Sequence, residues 1–214
     1  MVKHHLPDEF LMAYSAGSLP EAFDLVVASH VSLSDDSRAR LEAYDAVGGA
    51  LLDATDAVEV GDDSLAATLA LIDASRGPIV RRKKAEPAGV FPRPLRDYVG
   101  GDADTVRWRN LGRGVRQAIL KTSGTATARL LYIPTGMAMP DHGHGGTEMT
   151  LVLQGAFQDD DERFGRGDIE VANEEVQHTP VATGPEDCIC LVAADSRLRF
   201  ASILPRLAQP FLRI

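Results

Sequence analysis

Two histidines and a glutamate, His142, His144 and Glu148, stand between Gly136 and Gly155, and a further histidine, His178, follows about thirty residues later. On extended backbone His142, His144 and Glu148 share one parity and point to one face. Two imidazoles, a carboxylate and a distant imidazole can close around one divalent ion. Such a set leaves coordination positions open on a six-coordinate metal, which suits dioxygenase or isomerase chemistry. The same ion could simply staple strands. The bland alternative is a hairpin with solvated histidines. No nucleophile, acid–base pair or phosphate loop elsewhere supports an enzyme.

The elements that must position these residues lie in the second half of the chain. Val106–Trp108, Val115–Ile119, Thr127–Ile133, Glu148–Leu153 and Cys188–Ala193 are short apolar-rich runs with turn residues between them. This pattern predicts a β-sandwich or barrel. Cys188 and Cys190 are two apart on one of these runs and face the same way. Exposed, they could report oxidants; in so apolar a run they are expected to be buried and inert.

The first half is helical in pattern. Pro7 opens a helix with Phe10, Leu11 and Tyr14 at helical spacing, and Pro20-Glu21 opens another carrying Phe23, Val26, Val27 and His30. Ser34-Asp35-Asp36-Ser37 caps a third helix, with Leu41, Tyr44, Val47 and Leu51 as its stripe. A fourth carries Leu65, Leu69 and Ile72. Residues 76–96 hold four prolines and the run Arg81-Arg82-Lys83-Lys84, and read as an extended linker. The basic run could touch phosphates, but a solvated linker is the expected reading.

Of the 214 residues, 44% are hydrophobic and 25% charged, the composition of an ordinary globular protein. No apolar run is long enough for a membrane span, and the N-terminus has no secretory pattern. With two cysteines a disulfide framework is excluded, so a cytoplasmic location is the default expectation. The net charge of −9 is uneven: residues 1–75 hold fourteen acidic residues against three basic ones. That half repels nucleic acid and fits a basic protein partner.

The spacing G-x5-H-x-H-x3-E-x6-G over Gly136–Gly155 resembles the first motif of the cupin β-barrels at every fixed position, and the resemblance covers roughly residues 95–214. A second cupin motif is partial. Gly167-Asp168 and His178 are in place, while Asn173 and Glu175 stand where the family favours proline and glycine. In the first half, His30-x3-Ser34-x2-Ser37 has the spacing of H-x3-C-x2-C, with serine at both cysteine positions. With that spacing the whole chain resembles the zinc-binding anti-sigma factors of the ChrR type, which join a helical anti-sigma domain to a cupin-like domain.

The resemblance implies an α+β protein of two domains. These are a small all-α anti-sigma domain over 1–75 and a cupin metal-binding barrel over 97–214, joined by the linker 76–96. It implies zinc held by His142, His144, Glu148 and His178, although that ligand set would also accept iron, nickel or manganese. In the family an N-terminal histidine and the H-x3-C-x2-C motif bind structural zinc. His5 is the expected counterpart of the first ligand, with His4 as the alternative, and His30 of the second. Neutral serine hydroxyls are poor substitutes for thiolates, so zinc there is expected to be weak or absent. The bland expectation for Ser34 and Ser37 is helix capping and surface exposure, and for His30 a partly buried helical histidine.

The implied partner is an extracytoplasmic-function sigma factor, with Phe10, Leu11, Tyr14 and Phe23 as candidate contacts. Direct contact with nucleic acid or membrane is not expected, and a homo-oligomer through the barrel stays open. The implied signal class is reactive oxygen, including singlet oxygen. A metal-dependent cupin enzyme is the alternative.

Overall fold

The computed structural model describes residues 2–75 and 89–200. Most of the linker, with Pro78, Pro87 and the basic run, lies outside the described residues, as do residues 201–214. Four helices occupy the first part: α1 (Asp8–Ser15), α2 (Glu21–Val31), α3 (Asp35–Asp53) and α4 (Ser64–Ala74). Pro7 and Pro20 sit in extended conformation just before α1 and α2, where a missing N–H costs nothing. Ser34 caps α3 by accepting from the Ser37 N–H. A fifth helix, α5 (Arg93–Val99), forms where extended linker was expected. Pro92 and Pro94 fall at its start, which proline tolerates, and Gly100 closes it in the left-handed region at φ 77°. Clustered prolines there mark a helix start.

The strands form three antiparallel sheets. The largest runs β1 (Arg109–Gly112), β2 (Val115–Leu120), β3 (Thr127–Ile133), β11 (Cys188–Ala194), β5 (Glu148–Gln154), β8 (Ile169–Ala172). A second holds β10 (Val181–Thr183), β6 (Ala156–Asp159) and β7 (Glu162–Gly165), and a third holds β12 (Arg199–Phe200), β4 (His142–Gly143) and β9 (Gln177–His178). The expected strand at Val106–Trp108 is a loop instead. It is pinned by the Trp108 Nε1–H, which donates to the Ala103 carbonyl.

Strand alternation gives the large sheet two apolar faces. Leu191 pairs with Leu130 on one side and Leu151 on the other, and all three join a cluster with Leu11, Phe23, Val26 and Val27 of the helices. One residue along, Cys190 pairs with Leu131 and Val152 and faces the barrel interior with Phe157, Phe164 and Ala182. The helix α2 buries Ala22, Phe23, Leu25, Val26, Val27, Ser29 and His30 between the other helices and the sheet, and only the stripe Glu21, Asp24, Ala28 and Val31 stays partly exposed. Each large side chain buried in this way contributes about 1.5–3 kcal/mol.

The packing also reassigns four residues. Leu11 and Phe23 are buried, and Phe10 and Tyr14 pack against the same cluster. Leu11 and Phe23 belong to the protein's own core, and Phe10 and Tyr14 spend part of their surface on it. The apolar residues left in solvent lie further on. Val47, Leu51 and Leu52 on the last turns of α3 and Leu65, Leu69, Leu71 and Ile72 on α4 are 52–71% exposed. No residue of α4 is buried.

Candidate metal centre

The edge-strand pairing of β4 with β9 sets His142 directly opposite His178. His144 lies two residues on, so the three imidazoles meet. The His178 Nε2 is 3.1 Å from the His144 Nε2 and 3.2 Å from the His142 Nε2, and all three rings are buried. Nitrogens about 2.0–2.1 Å from one ion stand roughly 2.9–3.4 Å apart at octahedral or tetrahedral angles. The three-histidine set therefore fits a divalent ion in donor type and in spacing. Two rings are oriented from behind: the His142 Nδ1 meets the Pro140 carbonyl at 2.8 Å, and the His178 Nδ1 meets Asp159 at 2.8 Å.

Glu148 lies beside this trio but outside it, its Oε1 4.0 Å from the His144 Nδ1. Burial pushes its carboxyl up to about 7, against the pull of Arg129. Gly155, the last glycine of the motif, sits at φ +66°, and a Cβ there would meet the Asp187 carbonyl at 2.6 Å. Only glycine fits that position.

Two carboxylates that the sequence reading missed complete the site. Asp159 and Glu170 both approach the His178 Nδ1, Glu170 at 3.7 Å. Glu170 was visible in principle, as one acidic residue at an inward position of the apolar run Ile169–Ala172. Asp159 was hidden in the acidic run that makes the β6–β7 turn. Burial alone would lower the His178 imidazole, but Glu170 and Asp159 outweigh it and raise it to about 9. Burial pushes His144 down to about 4, helped by the neighbouring His142 and His178. These shifts favour a proton on His178 and none on His142 or His144, so an ion bound by all three rings would displace the His178 proton.

A cavity of about 500 Å3 opens onto this site. His142, Glu148 and His178 line it along with Arg129, Leu131, Phe157 and Cys190. The Cys188 and Cys190 thiols are buried, with their sulfurs 3.5 Å apart. Contact with Cys188 and burial hold the Cys190 thiol well above its ordinary value, which disfavours the reactive thiolate there.

The second set of expected ligands also converges. The His5 Nδ1 is 3.1 Å from the Ser34 Oγ, the His30 Nε2 is 2.9 Å from the Ser37 Oγ, and the two hydroxyls are 3.2 Å apart. His4 is elsewhere, packed on Phe164 with centroids 4.2 Å apart. Ser34 caps α3 as expected, but both serines are buried, not at the surface. His30 is fully buried, where a partly buried ring was expected.

A consistent donor order runs through this cluster. The His30 Nδ1–H donates to the Gly167 carbonyl at 2.9 Å, which leaves its Nε2 to accept from Ser37. Ser34 then donates to Ser37, and the His5 Nδ1–H donates to Ser34. Every hydroxyl proton is used inside the protein. The geometry is that of a four-ligand site, but two neutral hydroxyls engaged with imidazoles are a poor set for zinc. Zinc does not fit this cluster as it fits the barrel trio.

The comparisons with known proteins fall into line with this architecture. Residues 97–196 match the family model of the ChrR cupin-like domain. The anti-sigma-E factor ChrR of Cereibacter sphaeroides is 56% identical over 213 residues, covering 100% of this chain and 99% of that protein. The crystal structure of Rhodobacter sphaeroides SigE in complex with the anti-sigma ChrR matches with a TM-score of 0.81 at 55% identity, over 91% of this chain and 100% of that one.

Two measurements check these assignments. Zinc titrated into the full chain should bind the barrel at close to one equivalent, and His142→Ala/His144→Ala should abolish it. Because metal displaces the His178 proton, affinity should rise roughly tenfold per pH unit from about 7 to 9. A pH-independent affinity would remove His178 from the ligand set.

The second measurement concerns His30, whose imidazole burial pushes down to about 4. A histidine depressed on folding stabilises the protein fully above its unfolded value of about 6.5 and loses that contribution as pH falls toward 4. Its share of the acid destabilisation should reach about 3 kcal/mol. Denaturant melts of the chain and of His30→Gln should diverge across that window and in that sense.

Proposed function

The chain belongs to the ChrR family of anti-sigma factors, and from that premise we propose that it sequesters an extracytoplasmic-function sigma factor and releases it under oxidative stress of the singlet-oxygen type. Its role is regulatory and not enzymatic. The observation that carries the sequestration reading is the apolar face of α3 and α4. Seven large apolar side chains more than half exposed on two consecutive helices are costly in water and call for a partner. Apolar helix faces meet partners in grooves. The fourteen acidic residues of the first 75 complement a basic polymerase- or promoter-contacting surface and repel nucleic acid phosphates. In the similar crystal structure the ChrR chain is bound to SigE.

In this reading residues 1–75 grip the sigma factor, 76–96 connect, and 97–214 sense. Zinc is the proposed ion of the barrel, held by His142, His144 and His178, with Glu148 close enough to complete the shell by a side-chain rotation. Iron, nickel or manganese would satisfy the same donors. Among the described residues no helix is long and apolar enough to cross a membrane, and the cytoplasm, where a sigma factor works, is the proposed location.

Two experiments test this. In a binding titration against candidate sigma factors, Leu69→Asp and Leu51→Asp should each weaken binding by tens of fold, while melting of the chain is unchanged. Since neither side chain is buried in the free protein, an unchanged affinity would place the partner elsewhere. In a reporter strain, His142→Ala/His144→Ala should leave repression intact and abolish induction by singlet oxygen. Normal induction would remove the barrel site from sensing.

A further inference from the structure

The turn at residues 165–169 touches both the N-terminal histidine–serine cluster and the strand that reaches the barrel metal site. Asp168 is buried. Its Oδ1 accepts the Lys3 N–H at 2.6 Å and the His4 N–H at 3.1 Å, and its Oδ2 accepts the Gly165 N–H at 2.8 Å. The chain continues the pairing on the next residue, where the Ile169 N–H donates to the His4 carbonyl at 3.2 Å. His5 follows immediately. The Gly167 carbonyl, at the tip of the same turn, is the acceptor that orients His30. Gly167 itself sits at φ +88°, and a Cβ there would press on Val2 at 2.7 Å. One turn of the barrel therefore holds the His30 ring directly and pins the backbone of Lys3 and His4, which leads into His5.

Strand β8 leaves that turn directly. Its first inward residue is Glu170, two positions past Asp168, which lies 3.7 Å from the His178 Nδ1. A buried aspartate with three backbone donors is a costly group to place unless it fixes something. The cupin-like spacing of Gly167-Asp168 did not show what that was, because Asp168 makes no contact with the metal ligands in this fold.

We infer that the 165–169 turn is the mechanical link between the barrel metal centre and the helical part, with Asp168 as its positioning residue. An ion on His178 fixes the ring that Glu170 touches. Glu170 is carried by β8, and β8 is anchored in the turn that holds the His30 ring and the backbone of Lys3 and His4. The packed sheet beneath is stiff, so a displacement at β8 passes to the turn and is not absorbed. By reciprocity, a change in the N-terminal cluster alters the barrel site to the same degree. This inference rests on the sensor reading of the barrel given above, and it specifies the route.

Amide hydrogen exchange on the full chain tests it without any sigma factor. Zinc-loaded protein is compared with the His142→Ala/His144→Ala variant, and each again with Asp168→Asn added. Loss of the barrel metal should speed exchange of the Lys3, His4 and Ile169 amides at least fivefold, while Leu191 in the centre of the sheet stays unchanged. In the Asp168→Asn background those three amides should exchange fast whether or not the metal is bound. Should Asp168→Asn fail to fold, Lys3→Pro removes the 2.6 Å donor without touching the barrel and carries the same expectation for the His4 and Ile169 amides. Equal protection with and without metal, or a response that survives both variants, overturns the link. If no sigma factor is ever found to bind, the anti-sigma reading falls, while the exchange comparison still decides the coupling.

Discussion

The large sheet has two apolar faces because alternate residues of β3, β11 and β5 are apolar on both parities. Leu130, Leu191 and Leu151 form one row, and Leu131, Cys190 and Val152 form the next. One face closes the barrel and makes its cavity. The other cannot stay in water and takes α2, whose own sequence is apolar around most of its surface. Everything else follows from that contact. It fixes the helical part against the barrel, brings Gly167 to His30, and leaves the last turns of α3 and all of α4 without a surface to cover them.

Buried polar groups in such a contact must be satisfied within it. The His5–Ser34–Ser37–His30 cluster meets that demand by hydrogen bonds in a single donor direction, ended by the Gly167 carbonyl. Thiolates at positions 34 and 37 would bring negative charge and would need a cation to balance it. Hydroxyls need none. The position of the residues is thus kept while the reason for a metal is removed. Asp168 solves the complementary problem. Burial would raise its carboxyl, and the backbone N–H donors of Lys3, Gly165 and His4 hold it below its usual range.

In the barrel the charge balance runs the other way. Three imidazoles a little over 3 Å apart repel a shared proton load, and Asp159 and Glu170 place that proton on His178. Glu170 and Asp159 raise the His178 imidazole to about 9; a divalent ion bound there would take the place of that ring proton, and the two carboxylates would support it through the His178 ring. Glu148 stands apart from the trio, and burial raises its carboxyl against the pull of Arg129 and His178.

Local spacing was enough to find the first four helices, the strand-rich second half and the trio His142, His144 and His178, while the family resemblance supplied the pairing of His5 and His30 with Ser34 and Ser37. These are short-range patterns, and periods of 2 and 3.6 are written directly in sequence. Burial is not, because it depends on what arrives from far along the chain. The sequence could not say that Leu11 and Phe23 face inward while Leu51 and Leu69 face water, since both pairs have helical spacing and similar side chains. Nor could it place Glu148 beside the trio while bringing Asp159 and Glu170 to His178, because that depends on the register of β4, β6, β8 and β9. The role of Asp168 needed tertiary structure most of all. Two of its three backbone partners, Lys3 and His4, lie more than 160 residues away, and only the tertiary fold brings them within hydrogen-bond reach.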